Sequence, residues 1–247
     1  FATGNIELAD GSNLTIDTGA GAGNVAIAGI DGHSAETVTV DAGTGTTSVG
    51  AIGSGTEIGN VTLDGSGGIT LNGSITTAGG NIEINDAATL GGDVALTTAN
   101  GTVDFASTVD GDNNLDILSG SGTVTITGNI GTTTALTSID INQSAGTGSI
   151  SLSGNIGTAS ASGSGVTRIG NDSMTGTLTF GGSDYNTSGA QTFIADAYSI
   201  TGTDPDFNTS NDAVAFEDGN ITLADASDLE INTGTGGGAI SIEGSIL

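Results

Sequence analysis

The sequence predicts an all-β chain wound as a parallel β-solenoid of roughly ten coils, and three observations predict it. Short stretches alternate apolar and polar side chains, as a strand with one buried face does; 149–156, Ser-Ile-Ser-Leu-Ser-Gly-Asn-Ile, is the clearest, and nearly the same letters return at 124–130, 69–75 and 240–246, with a version one residue shorter at 25–30. The tripeptide Gly-Asn-Ile/Val occurs seven times, with Asn at positions 5, 24, 60, 81, 129, 155 and 220. Residues 216–247 align without a gap on residues 1–32 at an offset of 215, with 16 of 32 positions identical, Phe1 with Phe216 and Leu14 with Leu229 among them.

In chain order, the alternation places strands at 6–8, 14–16, 25–27, 37–40, 61–63, 69–71, 82–84, 94–96, 103–105, 115–118, 124–126, 139–141 and 150–152. They continue at 178–180, 193–195, 214–216, 221–223, 229–231 and 240–242. Gly, Asp, Asn, Ser and Thr separate them, residues that favour turns and form helices poorly. From Phe105 to Ile126 is 21 residues and from Ile126 to Leu152 is 26, a length that suits one turn of two or three short strands. One turn cannot bury its inward face alone, so turns must stack at about 4.8 Å and share a core. Residues 157–166 carry little that is apolar and read as a protruding loop; 203–212, with the only proline, reads as another. The long echo divides the chain into one unit, 1–215, and the start of a second copy, 216–247, continuous with the first. Opening on Phe1 rather than Met, the chain reads as a mature segment or an interior piece of something longer.

Composition narrows the chemistry. Gly supplies 45 of 247 residues, Pro one, and aromatic residues only 3%, so a thin core of Ile, Val and Leu suits the chain better than a bulky globular one. There are 28 acidic residues against one Arg and no Lys, for a formal charge of −27. That surface repels nucleic acid and anionic lipid. No apolar run approaches membrane-spanning length, so no membrane insertion of this segment is expected. Cysteine is absent, which removes disulfides and thiolate metal sites. The plain reading of the acids is solvated turns and outward strand positions; the sharper one is divalent cations.

Catalytic patterns are thin. His33, the only histidine, sits in a Gly/Ser/Asp loop, where a surface role is the simpler reading. Arg168 is expected to pair with a nearby acid such as Asp172. Proton-abstracting lyases generally need Arg or Lys to stabilise developing negative charge, and this chain has only Arg168. A hydrolase needs only two carboxylates, but such enzymes lean on aromatic platforms, whereas Phe105, Phe180 and Phe216 fall at inward positions. Calcium is the one ligand with candidate residues. Asp110, Asp112, Asn114 and Asp116 place oxygens at alternate positions, and Asp204, Asp206 and Asn208 do the same with Asp212 beyond; hard cations want six to eight such oxygens. Neither run has the glycine and glutamate of an EF-hand, and polar turns are the plainer account. The Gly-Asn corners read as scaffold, since Asn tolerates left-handed backbone and stacked Asn side chains can bond along a solenoid.

Over residues 102–200 the chain resembles the β-strand repeats of giant bacterial surface proteins, the filamentous-haemagglutinin-like adhesins and related autotransporter passengers. The phrases that carry the likeness are Thr133-Thr134-Ala135-Leu136-Thr137-Ser138, Val109-Asp110-Gly111 and Ser188-Gly189-Ala190-Gln191-Thr192. The resemblance implies a right-handed parallel β-helix, export, and adhesion or cell-surface structure. The expectation is therefore a secreted, extracellular, non-enzymatic structural protein, the rod, stalk or filament body of a surface adhesin, partnered end to end by copies of itself and by host or surface glycans. The rival readings are a carbohydrate-active or carbohydrate-binding β-helix and a string of calcium-rigidified β-sandwich repeats.

Overall fold

Period-two alternation forces one side of each short strand inward, and the chain satisfies that by winding. The computed structural model describes residues 4–158, 164–225 and 227–247. Among these there is no helix, and so none long and apolar enough to cross a membrane. Strand pairing is parallel throughout the named ladders, and each strand pairs with the one a full coil away. The result is a β-solenoid of about 10 coils whose strand segments lie on three faces.

The first face is a ladder of Leu14–Asp17, Val38–Asp41, Val61–Asp64, Ile82–Ile84, Val103–Phe105, Val124–Ile126, Ile150–Leu152 and Thr177–Phe180. It goes on through 197–200 and 220–223. The second face begins at 25–27 and runs through 47–49, Ile69–Leu71, Ala88–Leu90 and Val109–Asp110. It narrows to single bridges at Ile130 and Ile156. It then widens again through Asp184–Thr187, Asp206–Thr209 and Glu230–Asn232. The third face starts at Asn5–Glu7 and passes through 29–31, 51–52, Ile75–Thr77, Val94–Thr98, Asn114–Leu118, Ser138–Ile141 and Val166–Gly170. It ends on 191–194, 214–217 and Ile240–Ile242.

Inward residues of all three faces form one continuous apolar column from Val25 to Ile221. In the first seven coils it is aliphatic except for Phe105. From coil eight it turns aromatic: Phe180 and Tyr198 point in from the first face, Tyr185 and Phe207 from the second, Phe193 and Phe216 from the third. Tyr185 and Phe207 stack with ring centroids 4.6 Å apart, while Phe180 meets Tyr185, Phe193 and Phe207 edge-on at 4.9–5.2 Å. The buried phenols are satisfied by backbone. The Gly182 N–H donates to Tyr185 Oη at 2.9 Å, and the Ala195 N–H to Tyr198 Oη at 3.0 Å. Burial pushes both phenols far above their ordinary range.

Corners are built from Asn and Gly. The side-chain oxygens of Asn24, Asn60, Asn81, Asn129, Asn155 and Asn220 each accept a backbone N–H from the next coil, at 2.8–3.0 Å. The corner asparagines are scaffold, as expected, but not by adopting left-handed backbone: the Asn residues with positive φ are 100, 142 and 211. Glycines stack at another corner because the preceding coil is too near for a β-carbon. A Cβ on Gly122 would lie 1.9 Å from the Gly101 carbonyl oxygen, and one on Gly148 would lie 1.9 Å from that of Gly122.

Two expectations are corrected. Residues 203–212 are not simply a loop, since Asp206–Thr209 is a strand whose Phe207 is fully buried. In the expected loop at 157–166, Ser164 bridges Thr187 and Val166 opens a strand, while 159–163 lie outside the described residues. The parallel coil also replaces the β-sandwich alternative, whose strands would face each other across two sheets.

Candidate functional site: stacked carboxylates and a polar groove

In-register parallel pairing lines up outward side chains as it does inward ones, so like residues a coil apart become ladders. Asp17, Asp41 and Asp64 stack in register on the first face. Their oxygens serve local turns: Asp17 Oδ1 accepts the Gly19 N–H at 2.6 Å and Asp41 Oδ1 the Gly43 N–H at 2.7 Å. Asp64 is half-buried beside Asp86, and burial first, then Asp86, raises its pKa above the usual carboxylate range. One rung further along the same face Glu83 stacks on Asp104, whose Oδ1 is buried without a hydrogen-bond partner among the described residues. Burial, then the Glu83 charge, raises the pKa of Asp104.

On the third face Asp116, Asp140 and Arg168 are consecutive rungs. Arg168 Nη1 lies 3.6 Å from Asp140 Oδ1, so the single arginine pairs across the ladder rather than with nearby Asp172. Asp116 has no cation on its own rung; burial and then Asp140 raise its pKa.

Most of the eight residues named for calcium spend their oxygens and amides on other partners. Asp110 Oδ1 accepts the N–H groups of Thr133 and Thr134 at 2.8 and 3.1 Å, Asp112 Oδ1 accepts the Thr137 hydroxyl at 3.4 Å, and Asn114 Oδ1 accepts the Ser138 hydroxyl at 2.8 Å. These bonds tie one coil to the next. Asp204 has positive φ and its Oδ1 accepts the Asp228 N–H at 3.1 Å. Asp206 sits in register between Asp184 and Glu230, Asn208 donates to Asn186 at 2.9 Å, and the Asp212 carbonyl takes the Thr209 hydroxyl. Among the described residues no three His, Cys, Asp or Glu side chains converge as a metal site would.

Two features escaped the sequence. Glu36 is 1% exposed, and its carboxylate accepts the N–H groups of Ser34 and His33 at 2.8 Å and of Gly11 at 2.9 Å. Those bonds, Ser34 first, hold its pKa well below the usual range. Ser34-x-Glu36 was the only available signal. His33 is exposed and lines an open groove with Glu7, Asp31 and Thr56. The second feature is a groove of about 240 Å³ on the second face, lined by Asn186, Thr187, Asn208, Thr209, Ser210, Asn232 and Gly234. Asn186, Asn208 and Asn232 are consecutive rungs. Nothing in a single coil foretells that alignment, which depends on the unequal loops between coils.

Comparison with protein-family models, with curated proteins and with solved structures finds no match for this chain.

Proposed function

We propose that this chain is a length of an extracellular, non-enzymatic rod: the stalk or filament body of a bacterial surface adhesin, built by stacking coil on coil. The observation that carries the reading is the continuous aliphatic and aromatic column beneath parallel pairing on three faces, in which the last coil repeats residues of the first. A solenoid coil presents unpaired N–H and C=O groups along its axis and is satisfied by another coil of like shape. Copies of the unit, in tandem or end to end, supply such a coil. The likeness of residues 102–200 to filamentous-haemagglutinin-like repeats supports the same reading, with export and surface location as its implications. The acidic exterior supports it in another way, because like-charged rods stay apart sideways while growing lengthwise.

The test is imaging of the native particle. A fibre about one solenoid wide is expected; a globule of one chain would end the proposal. Calcium at Asp110–Asp116 and Asp204–Asp212 is tested on the same material, where a melting temperature that rises with calcium at constant ionic strength, and no longer does so in Asp110→Asn and Asp204→Asn, would establish it.

A further inference from the structure

The groove on the second face has the makings of a binding site. Among the described residues its lining is amide, hydroxyl and glycine, without an aromatic ring, an aliphatic side chain or a charge. Asn208 Nδ2 donates to Asn186 Oδ1 at 2.9 Å, which spends the Asn186 oxygen but leaves its own Nδ2 buried with no partner among the described residues. Asn186 is 3% exposed and lines the cavity. A buried amide donor left without a partner destabilises its surroundings, so an acceptor oxygen placed there relieves that loss. The three asparagines recur at the rung spacing of about 4.8 Å, close to the length of one pyranose residue in a glycan chain. Two residues before each, on the same outward side, stand Asp184, Asp206 and Glu230. That acidic row turns away anionic polymers.

We propose that the Asn186–Asn208–Asn232 groove binds a neutral saccharide chain laid along the solenoid axis, with a sugar oxygen accepting from Asn186 Nδ2. Saturation-transfer NMR on the full chain, with cellotetraose and an N-acetylglucosamine tetramer as probes and oligogalacturonate as the anionic control, reads it. Transfer to a neutral probe is expected, weakened at least about tenfold in Asn186→Leu, a near-isosteric change that removes the donor. Asn232→Ala, at the exposed end of the row, gives a second variant that leaves the buried pair intact. No transfer to either neutral probe, as when a water alone satisfies Asn186, overturns the proposal; so does transfer that both variants leave unchanged.

A separate observation concerns the 215-residue echo. Asn5–Glu7 lies on the third face, but its copy at 220–222 lies on the first. Leu14–Asp17 lies on the first face and its copy at 229–232 on the second; 25–27 lies on the second and its copy Ile240–Ile242 on the third. All three displacements agree. After Asn5–Glu7 the third face recurs nine times, from 29–31 to 214–217, before the chain turns one face further to reach the copy. The likeness therefore does not come from two segments sharing one face.

We infer that the sequence period is nine and a third coils, so that each successive unit presents any given patch a third of a revolution round the axis. This rests on the tandem reading above. Helical reconstruction of the native fibre by electron cryomicroscopy is expected to show a repeat of about 45 Å along the axis, each accompanied by a one-third turn beyond the solenoid's own twist. A repeat of that length without the turn overturns this inference and leaves the rod standing. A fibre with no repeat near that length overturns the tandem reading, and this inference with it.

Discussion

Gly122 and Glu36 show how closely stacked coils constrain a single residue. A methyl group at Gly122 has nowhere to go but into the Gly101 carbonyl oxygen, 1.9 Å away, which belongs to the backbone of the preceding coil. Gly122→Ala is expected to cost about 1–3 kcal/mol in chemical denaturation followed by circular dichroism. Gly21→Ala, where a Cβ meets nothing within 4 Å, should stay within about 0.5 kcal/mol of the parent. The carboxylates split by sign. Glu36 has a depressed pKa when folded, so its contribution is present above the ordinary glutamate range and is lost as pH falls through and below it. Glu36→Gln is expected to lower the melting temperature at pH 7 and to make little difference in strong acid. Asp104 and Asp116 have raised values when folded, so they weaken the fold once the pH exceeds the unfolded pKa near 3.9. Asp104→Asn and Asp116→Asn should each raise stability at pH 7, by at most about 1 kcal/mol for such partly solvated groups, with the gain vanishing as pH falls below that value.

At the scale of one strand, burial decides more than composition does. Phe180 touches Tyr185, Phe193, Phe207 and Phe216, so Phe180→Ala should cost about 3–5 kcal/mol by urea denaturation, against a small loss for alanine at the exposed Ile240. Strands with clean alternation, such as Val124–Ile126 and Ile150–Leu152, were legible from their letters. Asp184–Thr187 and Asp206–Thr209 were not, because each places one aromatic among Asp, Asn and Thr, a composition that reads as a turn. Pairing with the neighbouring coil overrides that propensity, and the neighbour is 22 residues away at Asn186 and Asn208. The same distance hid the amide groove. Arg168 misled for a related reason: its nearest acid along the chain is Asp172, but its nearest in space is Asp140, one coil below.

Taken whole, the molecule is a column whose length grows with coil number. Each coil adds acids to the exterior, so mutual repulsion scales with length, and a formal charge of −27 on 247 residues is a standing load on the stack. Added salt screens it, with a Debye length of about 10 Å at 0.1 M. The melting temperature is therefore expected to climb between low and moderate ionic strength, and a flat response would show that the ladders have already neutralised their charge locally. The aromatic column has its own optical corollary. The chain contains no tryptophan, and both of its tyrosines, Tyr185 and Tyr198, are locked in coils eight and nine. Tyrosine emission and the tyrosine bands of near-ultraviolet dichroism thus watch one short zone, like a gauge fixed near one end of a mast. Should the winding loosen from the amino-terminal side, that gauge would stay silent while the far-ultraviolet signal was already falling.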